Sequence, residues 1–251
     1  MKQLLSLLFL AFAISAFSQN NIVTVNTVKP KNGSKMAWET AYKAHIAKFH
    51  KADEKISTWE IISGKWMGYY HLVNGGRTMA SFDAERADAS AHSMDLDKTF
   101  FPMLEVTING NYRWTDSLSI RPDMQADRCI VNIRHIKPEM MSDYVKETAR
   151  GNAIAGKLKG TFWDKLSVNA YVLMWSGSDP TIVSVRNLPD GFASLEADFY
   201  GKDAIGTSFK DEYVKLYGTL DWDKRTKLME DAVASRDTYI MKLRKDLSSQ
   251  Q

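Results

Sequence analysis

The chain repeats one of its own segments, and this repeat constrains the fold more than any other feature of the sequence. Residues 22–41 read IVTVNTVKPKNGSKMAWETA, and residues 130–149 read IVNIRHIKPEMMSDYVKETA. The two segments align without a gap at an offset of 108 residues and are identical at eight of twenty positions. Repetition at this scale is the signature of a duplicated structural unit. We therefore interpret the chain as two copies of one unit.

The first eighteen residues have the pattern of a secretory signal peptide. Lys2 precedes an apolar run over residues 4–17, which is too short to span a membrane as a helix. Removal of residues 1–18 leaves 251 − 18 = 233 residues, and no second apolar stretch of spanning length follows. The pattern predicts an extracytoplasmic protein, periplasmic or secreted, without a membrane span after cleavage.

Charge and cysteine content narrow the classes of partner. Without Lys2 the chain has 32 basic and 30 acidic residues, a balance that argues against nucleic acid as a partner. Cys129 is the only cysteine, so no internal disulfide can form and a buried, inert thiol is expected. Stability must then come from burial of apolar side chains. The sequence does not indicate the oligomeric state.

The first copy predicts the order strand, helix, strand, strand, helix, strand. In the first helix, Trp38, Tyr42, His45 and Phe49 recur at a helical spacing and form one apolar face, where His45 is expected to be a core histidine. The predicted strands are 22–28, 56–63, 66–73 and 114–121, and the predicted second helical region, interrupted and ending near Pro102, is 84–104.

The second copy is predicted from matches at shifted offsets, because insertions belong in loops. Offsets of 113 and 123 place its hairpin at 167–175 and 181–186 and its last strand at 239–244, although periodicity alone favours helix over the last stretch. Helices are expected at 209–217 and 222–235. The predicted organisation is a first repeat at 19–121, a linker at 122–127 and a second repeat at 128–251.

On this element order and duplication the chain resembles the dimeric α+β barrel superfamily. The resemblance implies an α+β fold in which two tandem ferredoxin-like βαββαβ repeats form an intramolecular barrel. That superfamily includes haem-degrading monooxygenases, other small-molecule enzymes and many uncharacterised members, and the chain also looks like uncharacterised secreted bacterial proteins. Fold alone does not define the chemistry of such a protein.

Period-two alternation sorts the strand residues into two faces. Val23, Val25, Val131 and Ile133 are expected to face the helices, and Thr24, Asn26, Asn132 and Arg134 the interior. A buried arginine requires an acidic partner or an anionic ligand, and both readings stay open for Arg134. On the third strand, Trp66 and Tyr70 share a face.

The resemblance to haem-degrading monooxygenases implies an asparagine, a tryptophan and a histidine in the site, and Asn26, Trp66 and His92 match these types. The interval of 26 residues from Trp66 to His92 departs from that family's short interval. The candidate ligand-binding residues are Asn26, Trp66, Tyr70, His92, Asn132 and Arg134.

No catalytic or metal-binding motif is present in the sequence, and no cofactor is predicted. His45 and His50 are five residues apart, a poor spacing for chelation by one helix, so no metal ligand is assigned. We predict non-catalytic binding of a small molecule or of a partner. The alternatives are a small-molecule enzyme of the monooxygenase or isomerase kind, with haem as a possible cofactor, and a structural or adhesive module.

Overall fold

The computed structural model describes residues 21–51, 54–175, 180–195 and 202–249. The predicted signal segment lies outside the described residues. The strands are β1 (Ile22–Pro30), β2 (Ile56–Ile61), β3 (Tyr70–Arg77), β4 (Leu104–Trp114), β5 (Arg128–Ile136), β6 (Val168–Leu173), β7 (Thr181–Asn187) and β8 (Val233–Leu243). The α-helices of the described part are α1 (Lys35–Phe49), α2 (Ala89–Asp95), α3 (Met141–Ala155), α4 (Thr161–Lys165), α5 (Lys202–Tyr217) and α6 (Thr219–Asp231).

The strands hydrogen-bond in the order β1-β3-β2-β8-β5-β7-β6-β4, and the sheet closes into an antiparallel barrel. β1 pairs antiparallel with both β3 and β4, and β5 pairs antiparallel with both β7 and β8. The predicted mixed α+β class and the closed sheet are therefore confirmed. None of the described helices combines the length and the apolar character that a membrane crossing requires.

The chain divides into two compact units. In the described part, unit one contains residues 21–51, 54–59, 69–113 and 244–249. Unit two contains residues 60–68, 114–175, 180–195 and 202–243. Each unit has its own buried apolar cluster, so each is described by itself.

The core of unit one lies under α1. Trp38 and Tyr42 are fully buried with stacked rings 5.2 Å apart, and Val28 of β1 and Tyr70 of β3 belong to the same cluster. The helical spacing predicted for Trp38, Tyr42 and Phe49 is confirmed, because all three are buried on one face of α1. Burying a large apolar side chain contributes about 1.5–3 kcal/mol. This cluster fixes α1 against the strands.

The core of unit two lies under α3. Tyr144 of α3 packs with Ile136 of β5, Ile182 of β7 and Ala170 of β6, and all four are buried. α3 is amphipathic: one side carries the buried residues, and the side facing away from the core carries polar residues. The strands β5, β6 and β7 therefore share one apolar face with this helix.

The hairpin of the first copy differs from the prediction. β2 ends at Ile61 and β3 begins only at Tyr70, so Trp66 lies in the connecting turn and not in a strand. Gly64 and Gly68 have φ values of +79° and +87°, a backbone conformation that glycine adopts without steric cost. The sequence predicts a short turn around Gly64 alone. Because Gly68 also adopts a positive φ, the turn extends from the end of β2 to Tyr70.

The strand predicted at 114–121 is wrong, because β4 covers Leu104–Trp114 and is followed by a 3-10 turn. The sequence Asn109-Gly110-Asn111 has turn chemistry, yet Gly110 lies opposite Val25 within the sheet. A Cβ atom on Gly110 would approach the Tyr112 ring to 2.7 Å. The glycine therefore serves a close side-chain contact in a strand rather than a turn.

The end of the chain confirms the strand that the repeat predicts there. β8 begins at Val233, six residues earlier than expected, and pairs with β5 along its length. The helices before it are α5 and α6, separated at Gly218, which has a φ of +89°. The offset of 123, which equates Thr115 with Thr238, is wrong because the two residues do not occupy equivalent positions. Thr238 lies within β8, opposite Asn132, whereas Thr115 lies after the end of β4.

The predicted facing of β1 is also wrong. Val28 packs against Trp38 of α1, and its cross-strand partner is Tyr70. Asn26 lies opposite Leu72, another member of that cluster. Since cross-strand partners share a face, Asn26 and Thr24 are on the side that α1 covers, and Val23 and Val25 are on the other.

The same reversal holds in β5. Arg134 lies opposite Ile182, which packs with Tyr144 of α3, so Arg134 and Asn132 are on the helix-facing side. Val131 and Ile133 are on the opposite side. Both faces of these strands carry apolar residues, and period-two alternation does not decide which face a helix covers.

Candidate metal centre

Three histidine side chains of unit one converge on one point. His45 lies in the last turns of α1, His50 follows the end of that helix, and His92 lies in α2. The Nε2 atom of His50 is 3.2 Å from Nε2 of His45 and 3.2 Å from Nε2 of His92. One ligand atom from each of the three lies within 4.8 Å of the others. The cluster therefore presents three potential nitrogen ligands to a single position.

The end of α1 explains how two histidines five residues apart can meet. On a continuous helix they would be about 140° apart around the axis. The helix ends at Phe49, and His50 takes φ −115° and ψ 76° while its backbone N–H donates to Ile46 O at 3.0 Å. The side chain of His50 is thereby directed back towards His45 instead of around the helix.

A carboxylate holds the far side of the His45 ring. Asp95 Oδ2 is 2.8 Å from Nδ1 of His45, and Asp95 is three residues after His92 in α2. The hydrogen bond from His45 lowers the pKa of Asp95, so this carboxylate is ionised and accepts the Nδ1 proton. A neutral His45 then has a bare Nε2 lone pair directed into the cluster. Carboxylates hold metal-ligating histidines in this way.

The ring of His50 lacks a complete set of hydrogen bonds. Its Nδ1 is buried and has no hydrogen-bond partner in the described part of the chain, and Oε2 of Glu54 is 3.8 Å away. If Nε2 of His50 carries the proton, that proton can satisfy His45 or His92 but not both well. Three converging Nε2 atoms therefore cannot be satisfied by protons alone.

A cation at the centre would resolve this arrangement. Bound through Nε2, His50 would carry its proton on Nδ1, on the side that faces Glu54. Two of the three ligands would then each have a carboxylate behind them, Asp95 for His45 and Glu54 for His50. The buried, unpartnered nitrogen thus fits a metal site better than it fits a set of hydrogen-bonded imidazoles.

Burial keeps the three rings neutral. Desolvation lowers the pKa of His50 to about 3 and also lowers the pKa values of His45 and His92. The positive charge of Arg86 contributes to each of these shifts. A neutral imidazole has a free lone pair on one ring nitrogen, which is the form that binds a metal ion.

Aromatic rings line one side of the cluster. The ring of Phe49 is 4.9 Å from His45 and 5.2 Å from His92, and Phe100 is 6.3 Å from His45, measured between centroids. His45 and His50 are buried, whereas His92 is half-buried. A ligand could therefore approach the cluster from the side of His92.

Two of the three nitrogen separations match those of a metal site. Two imidazole nitrogens bound at about 2.0–2.1 Å to one tetrahedral zinc ion are about 3.3 Å apart. The two separations of 3.2 Å from His50 agree with this value. His45 and His92 lie within 4.8 Å of each other, so these two rings would move closer together around a bound ion. Three histidine ligands leave a fourth position for water or substrate, as in catalytic rather than structural sites. Imidazole ligands suit zinc, copper, iron and nickel.

Three of the predicted ligand-binding residues lie in unit one. His92 belongs to the histidine cluster. Asn26 accepts a hydrogen bond of 2.7 Å from Asn109 of β4. Tyr70 is fully buried and donates a hydrogen bond of 2.6 Å to Glu39. Of these three, only His92 is brought to the cluster by a measured contact.

The other three predicted residues lie in unit two. Asn132 accepts a hydrogen bond of 2.9 Å from Thr238, and Arg134 donates one of 3.0 Å to Ser184. Trp66 is half-buried in the turn before β3, with the Lys65 ammonium 5.3 Å from its ring centroid. Asn132 and Arg134 lie on the same face of β5, and Trp66 lies in a turn of the same unit.

Sequence reasoning missed His45 and His50 as functional residues. Placing His45 on the apolar face of α1 is confirmed, since it is 3% exposed. Two signals could have found the cluster: a histidine at the residue after a helix end, and an aspartate three residues after His92 on the next helix. Neither signal has meaning until the two helices are known to pack together.

Comparison with known proteins agrees with the fold. No protein-family model and no curated protein matches the chain. Among solved structures, an anthrone oxidase-like protein has 8% identity and a TM-score of 0.58, with 90% of this chain and 92% of that chain covered. A provisionally assigned monooxygenase from Lactobacillus acidophilus NCFM has 10% identity and a TM-score of 0.52, covering 93% and 97%.

A variant of chlorite dismutase from Candidatus Nitrospira defluvii is also similar, with 7% identity, a TM-score of 0.51, and 92% and 94% of the two chains covered. These three solved structures carry the names of a monooxygenase, an oxidase-like protein and a dismutase. This finding contradicts the prediction of non-catalytic binding and favours the alternative of a small-molecule enzyme. The chain has the fold of the dimeric α+β barrel superfamily.

Proposed function

We propose that this protein is a metal-dependent enzyme of the monooxygenase kind that acts on a small organic molecule. The observation that carries the proposal is the convergence of three imidazole nitrogens: Nε2 of His50 is 3.2 Å from Nε2 of both His45 and His92, and all three lie within 4.8 Å of one another. Asp95 is hydrogen-bonded to the far side of the His45 ring, and the Glu54 carboxylate lies 3.8 Å from Nδ1 of His50. The names of the solved structures with this fold support the enzyme class but not the substrate.

The residues of unit one have defined roles in this proposal. His45, His50 and His92 hold the ion through Nε2, and Asp95 fixes the orientation and the tautomer of His45. A divalent ion on three neutral ligands retains its charge and would polarise a bound water or a substrate oxygen at the open position. Dioxygen chemistry at this position would require a redox-active ion such as iron or copper and an external electron donor. Phe49 and Phe100 keep bulk water from one side of the cluster, and entry is at His92.

The proposal does not use haem. The resemblance to haem-degrading monooxygenases would require the His92 ring to present a nitrogen to the haem iron. Its Nε2 is instead within 3.2 Å of His50, inside the cluster. Asn26 accepts a hydrogen bond from Asn109 of the neighbouring strand. The alternative of a small-molecule enzyme is therefore proposed with a metal ion and not with haem.

We also infer that the two sets of elements are tandem ferredoxin-like copies. A cross-strand pair of threonine and histidine supports this: Thr27 Oγ1 is 2.8 Å from His71 Nδ1, and Thr181 Oγ1 is 3.0 Å from His135 Nδ1. Thr27 and His135 are related by the offset of 108, so the same pair recurs with its members exchanged.

We also propose that the protein is extracytoplasmic, because residues 1–18 have the pattern of a signal peptide. Intact-mass measurement of the protein isolated from its own source tests it. A mass corresponding to a chain that begins at Gln19 is expected. A chain that retains residues 1–18 would contradict this location.

The metal proposal is tested by titration of the full mature chain, purified without a polyhistidine tag and stripped with a chelator. Zn²⁺ and Cu²⁺ are the probes. Calorimetry measures the affinity, and elemental analysis measures the number of ions bound per chain. One ion per chain is expected, and His45→Ala, His50→Ala and His92→Ala should each lower the affinity by at least about 100-fold. His135→Gln is the matched control and should bind as the wild type does.

Two results would overturn the proposal. One is a folded wild-type chain that retains no stoichiometric ion after addition of either metal. The other is a loss of affinity in His135→Gln equal to that in the three variants, which would assign the binding to scattered surface histidines.

A further inference from the structure

We infer that Arg86 is the positioning residue of this metal centre, joining the three chain segments that carry or support its ligands. The inference rests on the proposed function, because it assigns a role in holding the metal ligands. Arg86 is not itself a ligand, since a guanidinium has no lone pair to offer. It acts through the groups that it holds.

The contacts of Arg86 reach three separate segments. Its Nε and Nη2 donate to the two carboxylate oxygens of Asp88, at 2.9 and 3.2 Å. Nη2 also donates to the backbone carbonyl of Phe49 at 3.2 Å, and Nη1 forms an ion pair with Glu54. The Arg86 side chain is 24% exposed, so these contacts are partly shielded from water.

Each of these contacts leads to a ligand of the cluster. Phe49 is the last residue of α1, between His45 and His50 in the chain. Glu54 lies 3.8 Å from Nδ1 of His50. Asp88 immediately precedes α2, the helix that carries His92. One side chain therefore joins the end of α1, the Glu54 carboxylate beside His50 and the start of α2.

Only an arginine can make this set of contacts. Its planar guanidinium has five N–H donors in a rigid arrangement, whereas a lysine has one compact ammonium. The bidentate contact with Asp88 already uses two of its nitrogens, and the Glu54 contact uses the third. A lysine at this position would retain the charge but would lose the simultaneous hold on the three segments.

The chain contains a close structural control in the same unit. Arg244 is also bidentate to an aspartate two residues later, Asp246, with both contacts at 2.9 Å. It pairs with a second carboxylate, Glu39, at 2.7 Å. Neither Asp246 nor Glu39 contacts the histidine cluster through the hydrogen bonds described for them. Loss of Arg244 therefore reproduces the loss of a doubly paired arginine without affecting the ligands.

The experiment measures the affinity of the full mature chain for Zn²⁺ in the wild type, Arg86→Ala, Arg86→Lys and Arg244→Ala. We expect Arg86→Ala to bind one ion with an affinity about 10- to 100-fold lower, and Arg86→Lys to recover little of the loss. Arg244→Ala should bind as tightly as the wild type. Added guanidinium, at concentrations well below denaturation, should restore part of the affinity in Arg86→Ala and change nothing in the wild type.

Circular dichroism shows whether Arg86→Ala folds, and if it does not, Asp88→Asn takes its place. We expect Asp88→Asn to lower the affinity for Zn²⁺ by about threefold or more, because it weakens only one of the contacts of Arg86. The inference is overturned if affinity in the folded Arg86 or Asp88 variant stays within twofold of the wild type, or if Arg244→Ala loses as much. It is also overturned, together with the proposed function, if the wild type binds no ion. Failure of the inference alone is recognised by a wild type that binds one ion while Arg86→Ala binds it equally well.

Discussion

Tyr70 Oη donates a hydrogen bond of 2.6 Å to Oε1 of Glu39, and so joins the buried face of β3 to the first half of α1. The same carboxylate accepts two hydrogen bonds from Arg244, at 2.7 and 3.1 Å. Tyr70, one of the predicted ligand-binding residues, thus forms part of a polar network that connects α1, β3 and the segment after β8.

This network predicts acid sensitivity of unit one. The hydrogen bonds from Arg244 hold the pKa of Glu39 below its ordinary value of 4.5. A carboxyl with a lowered pKa stabilises the folded state fully above the unfolded pKa, and this contribution is lost as the pH falls through the lower folded value. Glu39→Gln should reduce the free energy of unfolding at pH 7 by about 1–3 kcal/mol.

The measurement is urea unfolding of the wild type and Glu39→Gln between pH 3 and pH 7. The difference between the two should shrink as the pH is lowered below about 4.5, because the wild type then also carries an uncharged side chain. A difference that is constant across this range would contradict the proposed origin.

A second prediction concerns the support of His45. Asp95→Asn should lower the affinity for Zn²⁺ by about 10- to 100-fold, because the amide can present its NH₂ group and no longer requires a proton on Nδ1 of His45. Calorimetric titration measures it. Asp97→Asn, on the same helical segment, is the control and should leave the affinity unchanged. Equal affinities in wild type and Asp95→Asn would show that Asp95 does not orient the ligand.

Two glycines with the same backbone angle make a third prediction possible. Gly33 and Gly64 both have a φ of +79°, but a Cβ on Gly33 would meet nothing within 4 Å, whereas one on Gly64 would lie 2.9 Å from the carbonyl oxygen of Thr238. Gly33→Ala should cost about 1–2 kcal/mol for the left-handed backbone alone. Gly64→Ala should cost about 1–3 kcal/mol more, because a backbone atom must shift.

Thermal or urea unfolding of the two alanine variants gives this difference directly. The comparison cancels the backbone penalty, which is common to both positions. If Gly33→Ala and Gly64→Ala were equally destabilised, the close approach of β8 to the turn at Gly64 would be disproved.

The fourth prediction is that Cys129 is unreactive in the folded protein. The residue is fully buried, and desolvation raises the pKa of its thiol, so almost no thiolate forms at neutral pH. A thiol reagent added at pH 8 should modify no thiol in native protein and one thiol per chain in denaturant. Rapid modification of the native chain would indicate that β5 opens or is exposed.

Much of the fold follows from local patterns in the sequence. The apolar face of α1, the order of the elements and the strand nature of Val233–Leu243 are all readable, because side-chain periodicity and an internal repeat are properties of the chain itself. Strand ends were less readable. Gly110 has the chemistry of a turn, but in β4 it is required by the ring of Tyr112, a contact that exists only once the strand is formed.

The candidate site shows the same division more clearly. The sequence by itself determined that His45 is buried on α1, since its spacing from Trp38 and Tyr42 is helical. Only the tertiary structure decided that His50 turns back at the end of that helix and that α2 brings His92 against it. The physical reason is that binding one ion depends on the directions in which side chains from separate segments point. Tertiary packing sets these directions, and the spacing of the residues along the chain does not.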